Sequence, residues 1–327
     1  MKETCDIGII GAGGVAARHA DVLSGFGDAR IAAVADPDGE RAAALAGRHG
    51  ARAYRDHVAM LESEALDAVY VCVPPFAHGP PEHAVIEAGL PMFVEKPIAI
   101  DLAVAEEIAR RVAAAGTLTA VGHQWRYLRV AERARELMAG REVRMLLGHW
   151  LDKVPPVAWW SRLDGSGGQV VEQAAHVIDL ARLLAGEVAE VHALESRTRA
   201  GGAPDSDVAA ATIANLEFQN GAVGNLAATC LLAWKHRAGL EVYAEGLAME
   251  LSESWLRVHT GAAPDVVEDE GLAKTRIDRA FVDAVRGLDD DVRTDYADAL
   301  RTHRVACAIA RSAVTGRRVA VEEGALW

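Results

Sequence analysis

Through the first third of the chain, short apolar runs alternate with amphipathic stretches. Runs near Ile7 to Ile10, Ile31 to Ala35, Ala68 to Val73, Met92 to Val94 and Leu118 to Val121 read as strands, while Val15 to Leu23, Gly39 to His49 and Leu102 to Ala115 carry apolar positions at helical spacing. Strand and helix in strict alternation predict a parallel, doubly wound α/β sheet.

After Val121 the rhythm changes. A helix over Leu128 to Ala139 leads into a strand at Val143 to Leu151, and a loop rich in Pro, Trp and Gly (Asp152 to Gly168) precedes a helix over Val170 to Leu184. Strand-like runs separated only by turns follow at Val188 to Thr198, Ala209 to Glu217, Ala222 to Leu232, Gly239 to Ala244 and Met249 to Leu256, which predicts an α+β domain on a large, mostly antiparallel open sheet. Helices over Lys274 to Arg286 and Tyr296 to Thr315 close the pattern. The expected organisation is therefore two domains, 1–122 and 123–327. With one face of the open sheet covered by helices, the other should find a partner, so a homodimer or homotetramer is expected.

Composition narrows the partners. A length of 327 residues suffices for two self-sufficient cores. The net charge of −13 comes from scattered acids, which disfavours nucleic acid and anionic membranes and leaves a small molecule as the expected partner. Cys5, Cys72, Cys230 and Cys307 show neither a CxxC pair nor zinc-type spacing and read as buried free thiols, and no metal site is expected. The N-terminal segment enters a strand directly, without a signal-type apolar region, and no later run is long enough to span a bilayer, so a cytoplasmic location is expected.

The sharpest local signal is Gly11-Ala12-Gly13-Gly14-Val15-Ala16, a GxGxxA pattern between the first strand and the first helix. Gly11 permits the tight turn, Gly13 lets backbone approach a pyrophosphate, and Ala16 lets helix and strand pack closely, as in a Rossmann dinucleotide site. Asp36 follows the second strand at the distance expected of a ribose-binding acid, so Gly11, Ala12, Gly13, Gly14, Val15 and Asp36 are candidate cofactor contacts and NAD is favoured over NADP. Arg41, one helical turn on, is the residue that could reach a 2′-phosphate instead. Pro74 and His78, and Glu95 and Lys96 of Glu95-Lys96-Pro97, lie at carboxyl ends of further strands, the ligand-binding edge of such sheets, and join the cofactor candidates. In the second domain Glu172, His176 and Asp179 fall at i, i+4 and i+7 of one predicted helix. His176 can be read as a proton-transfer group, a core histidine or a metal ligand.

The GxGxxA turn, the Glu95-Lys96-Pro97 segment, and an acid-xxx-His-xx-Asp pattern after a Gly-Gly loop together resemble the Gfo/Idh/MocA oxidoreductase family, of glucose-fructose oxidoreductase and inositol dehydrogenase type, over essentially the whole chain. The resemblance implies a nicotinamide-dependent dehydrogenase or reductase acting on a secondary alcohol or ketone of a sugar, cyclitol or related polyol, with Lys96 and His176 as catalytic residues flanking the substrate hydroxyl. Trp125, Arg126, Lys153, Trp160 and Glu172, with His176, are the candidate substrate contacts; aromatic faces suit the C–H faces of a sugar and charged groups its hydroxyls. Where the family helix usually reads Asp-x-Gly-x-His, this chain has Glu172 and Ala174. Two other readings remain on the same fold: an NAD-using glycoside-cleaving enzyme and a non-catalytic dinucleotide-binding regulator.

Overall fold

A computed structural model describes residues 3–201 and 205–321. They form two compact units, residues 3–122 with Lys274–Leu300, and His123–Ala273 with 301–321. Segments 274–300, which the sequence reading assigned to the second domain, thus cluster with the first unit.

The first unit contains β1 (Cys5–Ile10), α1 (Gly14–Ser24), β2 (Ala29–Ala35), α2 (Gly39–His49), β3 (Arg52–Tyr54), α3 (His57–Ser63), β4 (Ala68–Val71), α4 (Pro80–Glu87), β5 (Met92–Val94), α5 (Leu102–Ala115) and β6 (Thr119–Val121). Its six strands are parallel in the order β3-β2-β1-β4-β5-β6, the doubly wound arrangement expected from the alternation. β1, β4 and β5 are buried at every position, because helices cover both faces, which is why they read as unbroken apolar runs. β3 was not among the predicted strands; it is a three-residue edge with exposed Arg52 and Ala53 and offers no apolar run to read. Asp38 caps α2 and Asp101 caps α5 through their side chains, satisfying helix N–H groups that otherwise lack partners.

The second unit contains α6 (Arg129–Met138), β7 (Met145–Leu151), α7 (Leu163–Ser166), α8 (Gln169–Glu172), α9 (Ala175–Ala185), β8 (Val188–Glu195), β9 (Ala211–Phe218), β10 (Val223–Thr229), β11 (Arg237–Ala244), β12 (Leu247–Ser252), β13 (Trp255–His259) and β14 (Asp265–Glu268). Two helices, α10 (Ala273–Val285) and α11 (Tyr296–Thr315), and a short strand β15 (Val319–Ala320) complete the described chain. Nine strands make one sheet in the order β14-β13-β12-β11-β7-β10-β9-β8-β15, antiparallel throughout except for the parallel β7–β10 pair.

Two expectations are corrected here. The single helix expected over Val170 to Leu184 is two helices, because the N–H groups of Gln173 and Ala174 both bond the Gln169 carbonyl and form one wide turn between α8 and α9. Glu172 therefore ends α8 and is out of helical register with His176 and Asp179. The run from Met249 to Leu256 is two strands, since Ser252 Oγ accepts the N–H groups of Ser254 and Trp255 and turns the chain.

α9 packs on β7 and β11, and one glycine allows it. A Cβ on Gly148 would lie 2.9 Å from Val177 Cγ1, with Leu226 and Leu240 side chains at 3.1 and 3.3 Å. The missing side chain lets α9 lie directly on the sheet, one residue from His176. Gly148→Ala should therefore cost about 1–3 kcal/mol through overpacking, read as a lowered melting temperature; an unchanged melt would show that the contact has room to spare.

Candidate functional site

In the first unit, Gly11 has φ +93°, and a Cβ there would lie 2.4 Å from the Cys72 carbonyl oxygen, so only glycine makes this turn. Beyond it, a Cβ on Gly13 or Gly14 would meet nothing within 4 Å outside its own stretch of chain. This open cradle at the start of α1, with Val15 exposed beside it and Ala16 buried, fits a pyrophosphate. Asp36 follows β2 and braces the turn, accepting the Ala12 N–H at 2.8 Å, the Asp38 N–H at 2.8 Å and Arg41 Nη2 at 3.0 Å. Arg41, the candidate phosphate partner, is thus paired with Asp36 and also with Asp38.

Pro74 and His78 follow β4. The His78 imidazole is buried, with Nδ1 2.5 Å from Glu82 Oε1, while Glu82 Oε2 accepts the Gly79 N–H. Burial works against the Glu82 charge, yet His78 and that N–H outweigh it and hold the carboxyl below its usual range. Glu95 follows β5 directly, and its carboxylate is also buried. Oε1 accepts from His19 Nε2 at 2.9 Å and Arg18 Nη2 at 3.1 Å, and Oε2 accepts the Lys96 N–H at 3.0 Å. The Lys96–Pro97 peptide is cis, and the Lys96 side chain is partly exposed at this end of the sheet.

His19 completes a chain of buried charge, its Nδ1 lying 2.7 Å from Asp278 Oδ1 of α10. Burial opposes a charge on this imidazole, but Asp278 and Glu95 on either side overcome it and raise its pKa to about 9. Burial likewise disfavours Glu95 as an anion, and His19, Arg18 and Lys96 bring it down to about 2. The sequence reading did not single out His19, although its signal was there: it shares the buried stripe of α1 with Ala16, Ala20 and Leu23, a polar residue on an apolar face.

In the second unit, the His176 ring stacks on Trp125 (centroids 5.6 Å apart, 15°) and lies 6.0 Å and 27° from Trp150, with His123 edge-on at 6.1 Å. Trp150 was also missed; it stands on the inward face of β7 with Leu146 and Gly148, a period-two pattern legible in the sequence. Its Nε1–H is buried and, among the described residues, has no acceptor. Lys235 Nζ lies 5.2 Å from the centre of the Trp150 ring.

Asp179 is wholly buried one turn along α9 from His176. It takes a two-pronged bond from Arg126 Nε and Nη2, at 2.8 and 2.7 Å, and one from Thr302 Oγ1 at 3.0 Å. Burial would raise its pKa, but His123, Arg126 and Arg182 lower it overall. The Arg126 guanidinium is thus engaged from within the protein. Trp160 is fully buried and donates its Nε1–H to Glu172 Oε2 at 2.9 Å, so these two candidates are brought together. Lys153 is exposed and pairs through its backbone with Leu231. Among the described residues no group of His, Cys, Asp and Glu is arranged to hold a metal ion, and no helix is long and apolar enough to cross a membrane.

Residues 5–123 match a family model described as an oxidoreductase family with an NAD-binding Rossmann fold, and residues 128–249 match the GFO/IDH/MocA C-terminal domain. The chain belongs to the Gfo/Idh/MocA oxidoreductase family. Among curated relatives it is similar to inositol 2-dehydrogenase 4 of Saccharopolyspora erythraea, 33% identical over 187 residues that make up 55% of this chain and 54% of that protein. It is also similar to myo-inositol 2-dehydrogenase of Thermotoga maritima, 29% identical over 67% of this chain and 66% of the relative. The chain thus spans about half to two thirds of the length of these relatives. A solved levoglucosan dehydrogenase in complex with NADH shares the fold of this Gfo/Idh/MocA protein, with a TM-score of 0.87 at 21% identity, covering 98% of this chain and 100% of that one.

The buried cluster gives a pH signature to this family member. The raised pKa of His19 contributes stability that is complete below its ordinary 6.5 and is lost as pH rises through about 9. The depressed pKa of Glu95 contributes stability that is complete above its ordinary 4.5 and is lost as pH falls toward about 2. The melting temperature should therefore decline on the alkaline side from about pH 6.5 to 9, and His19→Gln should lower it while flattening that decline. A wild-type melt that is level across this window would mean that the imidazole is not charged in the fold.

Proposed function

We propose that this protein is an NAD-dependent oxidoreductase that exchanges a hydride between the nicotinamide and a secondary alcohol or ketone of a sugar, cyclitol or related polyol. The observation that carries the reading is the His176 imidazole set against Trp125 and Trp150, with the Trp150 N–H buried and, among the described residues, without an acceptor. Ring faces of this kind accept the C–H faces of a polyol, and a buried N–H without a partner is costly unless an oxygen satisfies it. The names of the curated relatives, inositol dehydrogenases, support the same substrate class.

The turn Gly11 to Val15 would hold the pyrophosphate of NAD and Asp36 the adenosine ribose; bound there, NAD supplies hydride-accepting chemistry. Asp36 favours NAD over NADP, because its carboxylate repels a 2′-phosphate and already occupies Arg41. His176 takes the hydroxyl proton in oxidation and returns it in reduction. Its stacked ring is held in one orientation, as a positioned base requires. Lys96, at the carboxyl end of β5, is the second catalytic candidate and supplies a cation that polarises a substrate oxygen. Trp125 and Trp150 orient the substrate ring, Lys153 reaches its hydroxyls from the exposed side, and Arg126, Trp160 and Glu172 support the substrate side by holding one another and α9 in place.

Lys96→Ala and His176→Ala should each lower kcat by roughly 10² or more, and the double variant should lose far less than the product of the two. Fluorescence titration should give near wild-type NAD affinity in all three. A His176 variant that melts early yet turns over normally per folded molecule would make His176 a core histidine and refute the mechanism.

We also propose a homo-oligomer built on the open face of the nine-stranded sheet. Leu194, Ile213, Val223, Met145 and Leu147 are exposed there, with Leu194 opposite Ile213 and Val223 opposite Met145. His149, on the same face, is lowered to about 4 by burial and by Arg237, so it adds no charge near neutrality. Sedimentation should show a dimer or tetramer that Ile213→Glu dissociates; a wild-type chain that stays monomeric would exclude this.

A further inference from the structure

The buried cluster behind Lys96 contains more charge than stability alone explains. His19 is 1% exposed and is enclosed by the rings of Tyr70 and Phe93, with centroids 5.2 and 5.0 Å from its own. Its neighbours on the inner stripe of α1 are Ala16, Ala20 and Leu23, so an apolar residue would suit the position. Replacing a buried ion pair by well-packed apolar groups is commonly neutral or stabilising, and a chain that keeps the charges needs another reason for them.

The geometry supplies one. The two oxygens of Glu95 divide their work: Oε1 is held by His19 and Arg18, and Oε2 holds the backbone N–H of Lys96. A third side is closed by Gly122, where a Cβ would lie 2.6 Å from Oε2. The carboxylate therefore cannot turn without breaking the bond to His19, and its orientation sets the peptide from which the Lys96 side chain departs. Asp278, from α10, fixes the far nitrogen of His19 and so the plane of the ring.

We propose that His19 is a positioning residue for Lys96, acting through the Glu95 carboxylate and held from behind by Asp278. This rests on the reading of Lys96 as a group that touches substrate. It assigns the α10 segment, remote in sequence, a part in aiming that group. Such support matters because catalytic groups displaced by about 1 Å can lose up to 10² in rate.

The test compares the full-length wild type with His19→Gln and Glu95→Gln. In Glu95→Gln the size is kept, but a carboxamide has one oxygen, so its NH2 must oppose either His19 and Arg18 or the Lys96 N–H. Hydrogen exchange of the deuterated protein by NMR reads the Lys96 amide directly. The Glu95 amide, bonded to the Val71 carbonyl, serves as the reference within the same strand end. The expected result is exchange at Lys96 faster by about tenfold or more relative to the residue-95 amide, in His19→Gln and also in Glu95→Gln, where the two donors His19 and Arg18 take the carboxamide oxygen and leave its NH2 facing the Lys96 N–H. With NAD and myo-inositol, kcat should fall by about tenfold to a hundredfold, while the KM for myo-inositol stays within about twofold.

If the Lys96 and Glu95 amides accelerate together as the melt drops, or if the Lys96 amide does not change, His19 is only a structural ion partner and the proposal is overturned. Should His19→Gln fail to fold, Glu95→Gln decides by the same two amides. A Lys96-specific acceleration in a protein whose wild type turns over no polyol would uphold the positioning role and refute the functional reading instead.

Discussion

A carboxylate wholly removed from water has to be answered by charge and hydrogen bonds from every side, and Asp179 shows what that demand organises. Its two oxygens take Arg126 from the segment before α6 and Thr302 from α11, while Arg182 Nη1 also bonds Thr302 Oγ1. Two stretches far apart in sequence are thereby fixed to α9. Trp125 is the neighbour of Arg126 and His176 lies one turn from Asp179, so the stack of Trp125 on His176 inherits its geometry from this ion pair. Removing one partner of such a pair typically costs about 3–5 kcal/mol, because the charge left behind stays buried.

The first unit solves a similar problem with a different set of groups. There the buried acids are Glu95 and Asp278, and the answering cation between them is an imidazole. Where Arg126 grips with a rigid fork, His19 reaches in two directions at once and links a strand end to a helix that comes much later in the chain. Both devices place buried charge one or a few residues from a group assigned to the chemistry, and both use apolar rings as walls. In such surroundings each bond is electrostatically stronger than it would be in water, which favours one arrangement over its near alternatives.

The parallel sheet was legible because strands covered on both faces must be apolar throughout, and the glycine turn because only glycine can pass that close to Cys72. Antiparallel strands in the second unit were legible as strand-like runs separated only by turns. What escaped was set by local hydrogen bonding that periodicity does not record: the wide turn at Gln173 and Ala174, the serine turn after Ser252, and the short polar edge of β3. At the site, residue types with a known chemical role stood out, as Lys96 and His176 did. Residues that matter through what they hold did not, since nothing in the sequence connects His19 to Asp278, 259 positions away. Trp150 lay between these cases, visible as an inward strand position but not as a neighbour of His176.

The order of strands in the large sheet carries a consequence for how the chain must assemble. β7 sits near the middle, with β10 and β11 on its two edges, pairing Met145 with Val223 and with Tyr243. As the polypeptide grows from its N-terminus, β7 emerges long before either neighbour exists, and α9 has no finished surface to lie on until both arrive. The nucleotide-binding unit waits longer still, because Asp278 belongs to a helix made after every strand of the large sheet except β15. Closing such distant contacts is entropically slow and leaves strand edges exposed meanwhile. The two halves of the chain therefore cannot mature one after the other: the unit that begins first is completed by a segment synthesised after nearly all of the second.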